Sequence, residues 1–285
     1  MVIVKSVAEM KNLCYTHRIS GNSIGLVPTM GALHQGHLSL LARASDQADI
    51  TVMSLFVNPA QFGPHEDFEK YPRVFEQDCA KAEEAGCDIL FAPSVSEMYP
   101  EPFCTFVNVE KITETLCGAT RKGHFRGVAT VVLKLFNIVS PQVAVFGQKD
   151  AQQVVVIKRM VEDLNLSVSI DVAPIVREGD GLAMSSRNSY LTPSERAEVP
   201  MIFAGLQKAV KWYSQGERDA GAIKDAILKE YSSGKYFYPE YVELVDTIYL
   251  RPVEKIDSPV LAAVACITKE SKTRLIDNIV LGGSL

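Results

Sequence analysis

Short apolar runs alternate along the chain with longer stretches in which apolar residues recur at helical spacing. Residues 24–27 and 50–57 read as buried strands, and residues 38–44 between them as the apolar-rich part of a helix, which makes a βαβ unit. The alternation continues through a polar helical stretch at 66–85, a strand at 88–91, a helix near 128–139 and a strand at 143–146. A helix over 151–164 and a strand around 168–176 complete it. Strands that alternate with helices predict an α/β fold, a doubly wound, Rossmann-like parallel sheet covered on both faces.

After Arg177 the pattern changes. A polar loop, Glu178-Gly179-Asp180-Gly181, leads to Thr192-Pro193-Ser194-Glu195, which has the wording of a helix N-terminus. Helical stretches near 195–214 and 220–232 precede strands at 241–245, 260–267 and 273–279. The order predicts a second, smaller α+β domain over 177–285, set apart from a first domain over 1–176.

Composition changes this picture little. A chain of 285 residues with a mean hydropathy of +0.07 is expected to fold as a packed, soluble protein. The net charge of −5 offers no basic field for nucleic acid, so an anionic ligand must be held by a few placed cations. The longest apolar stretch, 128–139, is interrupted by Lys134 and Asn137 and is too short to span a membrane. The six cysteines form no C-x-x-C pair and no zinc-like spacing, which suits free thiols in a reducing cytosol.

Three segments carry the candidate chemistry. Pro28 to His37 leaves the first strand and enters the first helix, at the sheet edge where open α/β folds bind ligands. A helix start offers N–H groups to phosphate, Gly31 and Gly36 permit close approach, and His34 and His37 stand one turn apart. Chance surface histidines and half of a metal site are the alternative readings, although further zinc ligands at a recognisable spacing are lacking. Gly147-Gln148-Lys149-Asp150 follows another strand, so Lys149 suits a triphosphate and Asp150 suits ribose hydroxyls, or Lys149 is a solvated charge. Met184-Ser185-Ser186-Arg187 adds two hydroxyls and a guanidinium. No Walker loop or G-x-G-x-x-G is present.

H-x-G-H after the first strand, with a late Ser/Arg loop, resembles the nucleotidyltransferase superfamily. The finer resemblance is to the pantothenate synthetase family, through VPTMGALHQGH (27–37), FVNPAQFGPHED (56–67), HFRGVATVVLKLFN (124–137), FGQKDAQQ (146–153) and DGLAMSSRNSYL (180–191). Five ordered blocks spread over nearly the whole chain make the resemblance specific.

The resemblance implies an ATP-dependent ligase that activates pantoate as an acyl-adenylate, joins it to β-alanine and releases AMP and pyrophosphate. It implies ATP contacts from Met30, Gly31, Ala32, Leu33, His34, Gln35, Gly36 and His37, from Gly147 to Asp150, from the backbone near Val176, and from Met184, Ser185, Ser186 and Arg187. His34, His37, Lys149, Ser185, Ser186 and Arg187 are the expected catalytic set, with His37 as the proton donor. Gln61 and Gln153 are expected on pantoate, with Asn58 and Arg121 in the pantoate and β-alanine pocket. Magnesium is expected with ATP and without a protein metal site, in a cytoplasmic homodimer whose C-terminal domain closes over the active site. Residues 118–127 suit a lid, with Gly118, Gly123 and Gly127 as pivots and Arg121 and Arg126 facing anions. The chain departs from the family at Cys117, where an acid is common, at Lys122, where proline is usual, and at Gln148, where glutamate is frequent.

Overall fold

The computed structural model describes residues 1–64 and 66–285. Strands β1 (Val2–Val4), β2 (Ile24–Thr29), β3 (Ile50–Leu55), β4 (Ile89–Phe91), β5 (Val143–Gly147) and β6 (Ser169–Ala173) form a parallel sheet in the order β1-β4-β3-β2-β5-β6. Chain order runs outward from β2 through β3 to β4, then restarts on the other side of β2 with β5, where Leu26 pairs with Ala144. This reversal is the topological switch point at which ligands bind in open α/β sheets. The outgoing ends of β2 and β5 carry the H-x-G-H and G-Q-K-D segments.

Helices α1 (Val7–Ile19), α2 (Gln35–Ser45), α3 (Phe75–Glu84), α4 (Val95–Met98), α5 (Leu116–Thr120), α6 (His124–Val139) and α7 (Ala151–Asp163) occur along this part of the chain. Val27, Met53, Leu90 and Val145 of the sheet are buried in one core with Leu41 of α2 and Ala82 of α3, as the covered face of a parallel sheet requires. Residues 66–74, expected to be helical, are turn and irregular backbone; Pro72 disfavours helical backbone at Tyr71, and α3 begins only at Phe75. Strand β6 stops at Ala173 because Pro174 has no N–H to continue a ladder.

The remaining elements are α8 (Pro193–Glu198), α9 (Met201–Ser214), α10 (Ala220–Tyr231) and an antiparallel sheet of β7 (Phe237–Asp246), β8 (Val260–Thr268) and β9 (Arg274–Leu281). The helix expected over 195–214 is broken at Pro200, so α8 and α9 are separate. Strand β7 starts earlier than expected and passes Pro239 by a register shift between Pro239 and Tyr241. Leu206, Ile223, Ile227 and Val264 form the core beneath this sheet. Met1–Glu110, Arg121–Gly147 and Val156–Ala173 make one compact unit; Lys111–Thr120, Gln148–Val155 and Pro174–Leu285 make another. Among the described residues no helix is long and apolar enough to cross a membrane.

Candidate active site

The loop leaving β2 is braced from behind by α3. Gly31 (φ +89°) and Ala32 (φ +51°) both take left-handed backbone, and a Cβ on Gly31 would lie 2.9 Å from Asp78 Oδ2. The buried Asp78 carboxylate accepts the Ala32 N–H at 2.8 Å and the Leu33 N–H at 2.7 Å. One turn along α3, Lys81 Nζ donates to the Leu33 carbonyl at 2.7 Å. The N–H groups of Ala32 and Leu33 are thus committed to the protein, and these residues contribute loop shape. Asp78 is absent from the residues marked by sequence, yet it shares with Ala82 the buried i, i+4 stripe of α3. An acid on that stripe was the available signal.

His34 is the N-cap of α2, and its Nδ1 accepts the Gly36 N–H at 3.1 Å. His37 reaches back so that its Nδ1 accepts the His34 N–H at 3.3 Å, which closes a reciprocal capping box. A backbone N–H can only donate, so Nδ1 must be unprotonated in both rings and the hydrogen sits on Nε2. The ring centroids lie 4.0 Å apart. Two imidazole N–H donors therefore stand together at a helix N-terminus, an arrangement suited to phosphate oxygens.

Gln61 ends the short turn Pro59–Gln61 and is fixed at both its side chain and its backbone. Asn58 Nδ2 donates to Gln61 Oε1 at 2.9 Å, and Gln61 Nε2 lies 3.1 Å from Met30 Sδ, which joins the glutamine to the loop leaving β2. His124 Nδ1 donates to the Gln61 carbonyl at 2.8 Å, which makes His124 Nε2 the acceptor for Arg121 Nη1 at 3.0 Å. Arg121 is itself paired with Glu66 through two nitrogens. Burial raises the Glu66 carboxyl, but hydrogen bonds and charge from Arg121 bring it below the ordinary value. Gly127, read as a pivot, lies inside α6; a Cβ there would fall 2.2 Å from the Ala60 carbonyl oxygen, so the glycine serves close packing.

In the other compact unit, the turn Gln148–Asp150 is held by β9. Asn278 Nδ2 donates to the carbonyls of Gln148 (2.9 Å) and Lys149 (3.0 Å), and Gln148 Nε2 donates to Asn278 Oδ1 at 3.1 Å. Gln148 can make this last bond where a glutamate could not without a proton. Burial lowers the pKa of Lys149, with Asp150 opposing, Arg187 assisting and Asp277 opposing. Asp277 pairs with Arg177 at 2.6 and 2.9 Å; burial nonetheless holds its carboxyl above the ordinary value. Gln153, half-buried, is in the first turn of α7.

The Val176 carbonyl accepts the Met184 N–H at 3.0 Å, so Val176 and the Met184–Arg187 segment form one backbone feature. Ser185 caps the turn Ser186–Tyr190, its Oγ accepting the Arg187 N–H at 3.3 Å. Cys117, at the position where the family commonly has an acid, is buried; its N–H donates to Gln152 Oε1, and Arg274 Nη1 approaches its sulfur at 3.5 Å. Arg274 takes its carboxylate from Glu240 instead, at 2.7 and 2.9 Å. Lys122 is exposed. Among the described residues no three His, Cys, Asp or Glu side chains gather as a metal site.

Residues 2–280 match the family model described as pantoate-beta-alanine ligase. The chain is 53% identical over 281 residues to the pantothenate synthetase of Caldicellulosiruptor bescii, covering 99% of both chains. It is similar to the crystal structure of pantothenate synthetase from Thermus thermophilus, with TM-score 0.93, 42% identity, and 99% and 100% of the two chains covered. A pantoate-beta-alanine ligase from Francisella tularensis, complexed with beta-gamma ATP and beta-alanine, matches with TM-score 0.80 and 31% identity over 100% and 99% of the chains.

Proposed function

Because the chain belongs to the pantoate-beta-alanine ligase family, we propose that it condenses pantoate with β-alanine in two steps that share one ATP. The pantoate carboxylate attacks the α-phosphorus in line and expels pyrophosphate, leaving pantoyl-adenylate. The β-alanine amine then attacks the acyl carbon, AMP leaves with the bonding electrons, and the amine proton is lost. The observation that carries this reading is the pair of capped histidines at the N-terminus of α2, whose Nε2–H groups form a donor pair for phosphate.

His34, His37, Lys149, Ser185, Ser186 and Arg187 act by positioning phosphate oxygens and by stabilising the charge that grows on the departing pyrophosphate. His37 donates a hydrogen bond from Nε2–H to that oxygen while the α2 backbone holds the neutral ring; to act as the proton donor it would take a second proton at Nδ1 and release the His34 N–H. These donors are imidazole N–H, ammonium, hydroxyl and guanidinium, which suit phosphate oxygens and not a cation. Magnesium accordingly enters with the triphosphate as part of the nucleotide substrate. Gln61 and Gln153 recognise pantoate, and Asp150 the ribose. The C-terminal domain closes over the reaction, and the enzyme works as a cytoplasmic homodimer.

Incubation with ATP, pantoate and β-alanine should yield AMP, pyrophosphate and pantothenate in equal amounts. Production of ADP would assign the enzyme an acyl-phosphate route instead. With β-alanine left out, rapid mixing should release about one pyrophosphate per active site.

A further inference from the structure

We infer that Tyr99 is a positioning residue for pantoate, acting through Asn58 to fix which face of the Gln61 amide the substrate meets. The inference rests on the assignment of pantoate to Gln61 and adds a residue outside the five sequence blocks. Tyr99 Oη donates to Asn58 Oδ1 at 2.7 Å. The same oxygen accepts the Ala60 N–H at 3.3 Å, and Asn58 Nδ2 donates to Gln61 Oε1 at 2.9 Å and to the Gly127 carbonyl at 3.2 Å. Both lone pairs and both hydrogens of the Asn58 amide are therefore in use, in a side chain only 1% exposed. Asn58 relays orientation and has nothing left to offer a ligand.

The relay has one outcome. Asn58 takes one lone pair of Gln61 Oε1 and so fixes the orientation of the amide, which turns its Nε2 hydrogens toward Met30, one of them facing the weak acceptor Met30 Sδ. A substrate oxygen is a better acceptor than a thioether and would displace that contact. The site is thus set to recognise an acceptor, a carboxylate or a hydroxyl lone pair, at the point where Met30 Sδ now lies. Tyr99 is suited to hold this setting: Phe56 and Phe103 flank its ring, and burial pushes its phenol up to about 12, so it stays a donor throughout the neutral range.

The test is a double-mutant cycle of Tyr99→Phe and Gln61→Ala, with KM for pantoate and for ATP measured from pyrophosphate release. Tyr99→Phe keeps the ring and its packing and removes one hydroxyl. It should raise KM for pantoate about two- to tenfold and leave KM for ATP within about twofold. In the Gln61→Ala background the same change should have no further effect on pantoate, which a general loss of stability would not reproduce. Thermal melting of each variant checks that the comparison is between folded proteins. An unchanged KM for pantoate in Tyr99→Phe, or equal losses in both backgrounds, would overturn the relay while leaving Gln61 in place. If Gln61→Ala alone leaves KM for pantoate unchanged, the relay falls with the assignment of Gln61 itself.

Discussion

Asn278 holds Lys149 by its backbone: the amide donates to the Lys149 carbonyl at 3.0 Å, while a second bond takes the neighbouring Gln148 carbonyl. The proposed phosphate lysine thereby stands on a fixed stem. Asn278→Ala should strand two carbonyls, at about 1 to 3 kcal/mol each. Steady-state kinetics should show kcat/KM for ATP falling about tenfold and KM for pantoate changing much less. Equal damage to both substrates would deny Asn278 this selective part.

Asp78 provides a second test behind the other proposed phosphate element. Asparagine is its isostere, but an amide nitrogen would face one of the two N–H groups that the carboxylate now accepts. Asp78→Asn should therefore be no milder than Asp78→Ala, and both should raise KM for ATP. Isothermal titration of each variant with nucleotide gives the comparison directly. Wild-type ATP affinity in Asp78→Asn would remove the brace from the account.

Replacement of His34, His37 or Lys149 by alanine should lower the adenylation rate by about 10² to 10³ each. For the histidines the accompanying loss of a helix cap should cost about 1 kcal/mol. Single-turnover pyrophosphate release and thermal melting separate the two effects. A variant that melts early yet reacts at the wild-type rate would have a cap and no catalytic part.

Glu195 sets an acid limit on the smaller domain. It is fully buried, and it accepts the N–H groups of Thr192, Glu270 and Ser271. Burial raises its carboxyl, but these bonds and one from the Ser271 side chain outweigh that and lower it to about 2. A depressed carboxyl stabilises the fold above its unfolded value, near 4.5, and loses that contribution as pH falls toward about 2. The contribution at neutral pH is on the order of 3 kcal/mol. Melting temperature should fall more steeply over this window in the parent than in Glu195→Gln; parallel curves would rule Glu195 out as the titrating group.

Much of this molecule is legible from sequence because period and punctuation agree. The apolar runs mark β2, β3 and β5, and the loop wording marks His34, His37 and Lys149 at the outgoing ends of strands that prove to be neighbours. Residues that act on the site from a distance in sequence escape such reading. Asp78, Tyr99 and Asn278 reach their partners across 46, 41 and 129 positions, and only a folded backbone brings them there. The three-residue strand β1 is too short to show a period, and Gly127 looks like a pivot until its contact with Ala60 is seen. Pro72 and Pro200 are visible in the sequence, but apolar and polar spacing runs on across both, so the pattern alone extends each helix past the residue that ends it.

The reciprocal cap of α2 makes each imidazole an extension of the helix that it closes. Backbone N–H groups that would otherwise end the helix point into Nδ1, and each bond polarises the ring so that Nε2–H becomes the more acidic donor. The positive pole of the helix is carried outward by the width of a ring. A lysine at either position would bring a full charge and leave the helix uncapped, and an asparagine would cap it without the reach. Histidine alone joins the two tasks, so here a residue chosen for its shape and two distinct nitrogens does what neither charge nor capping propensity could do separately.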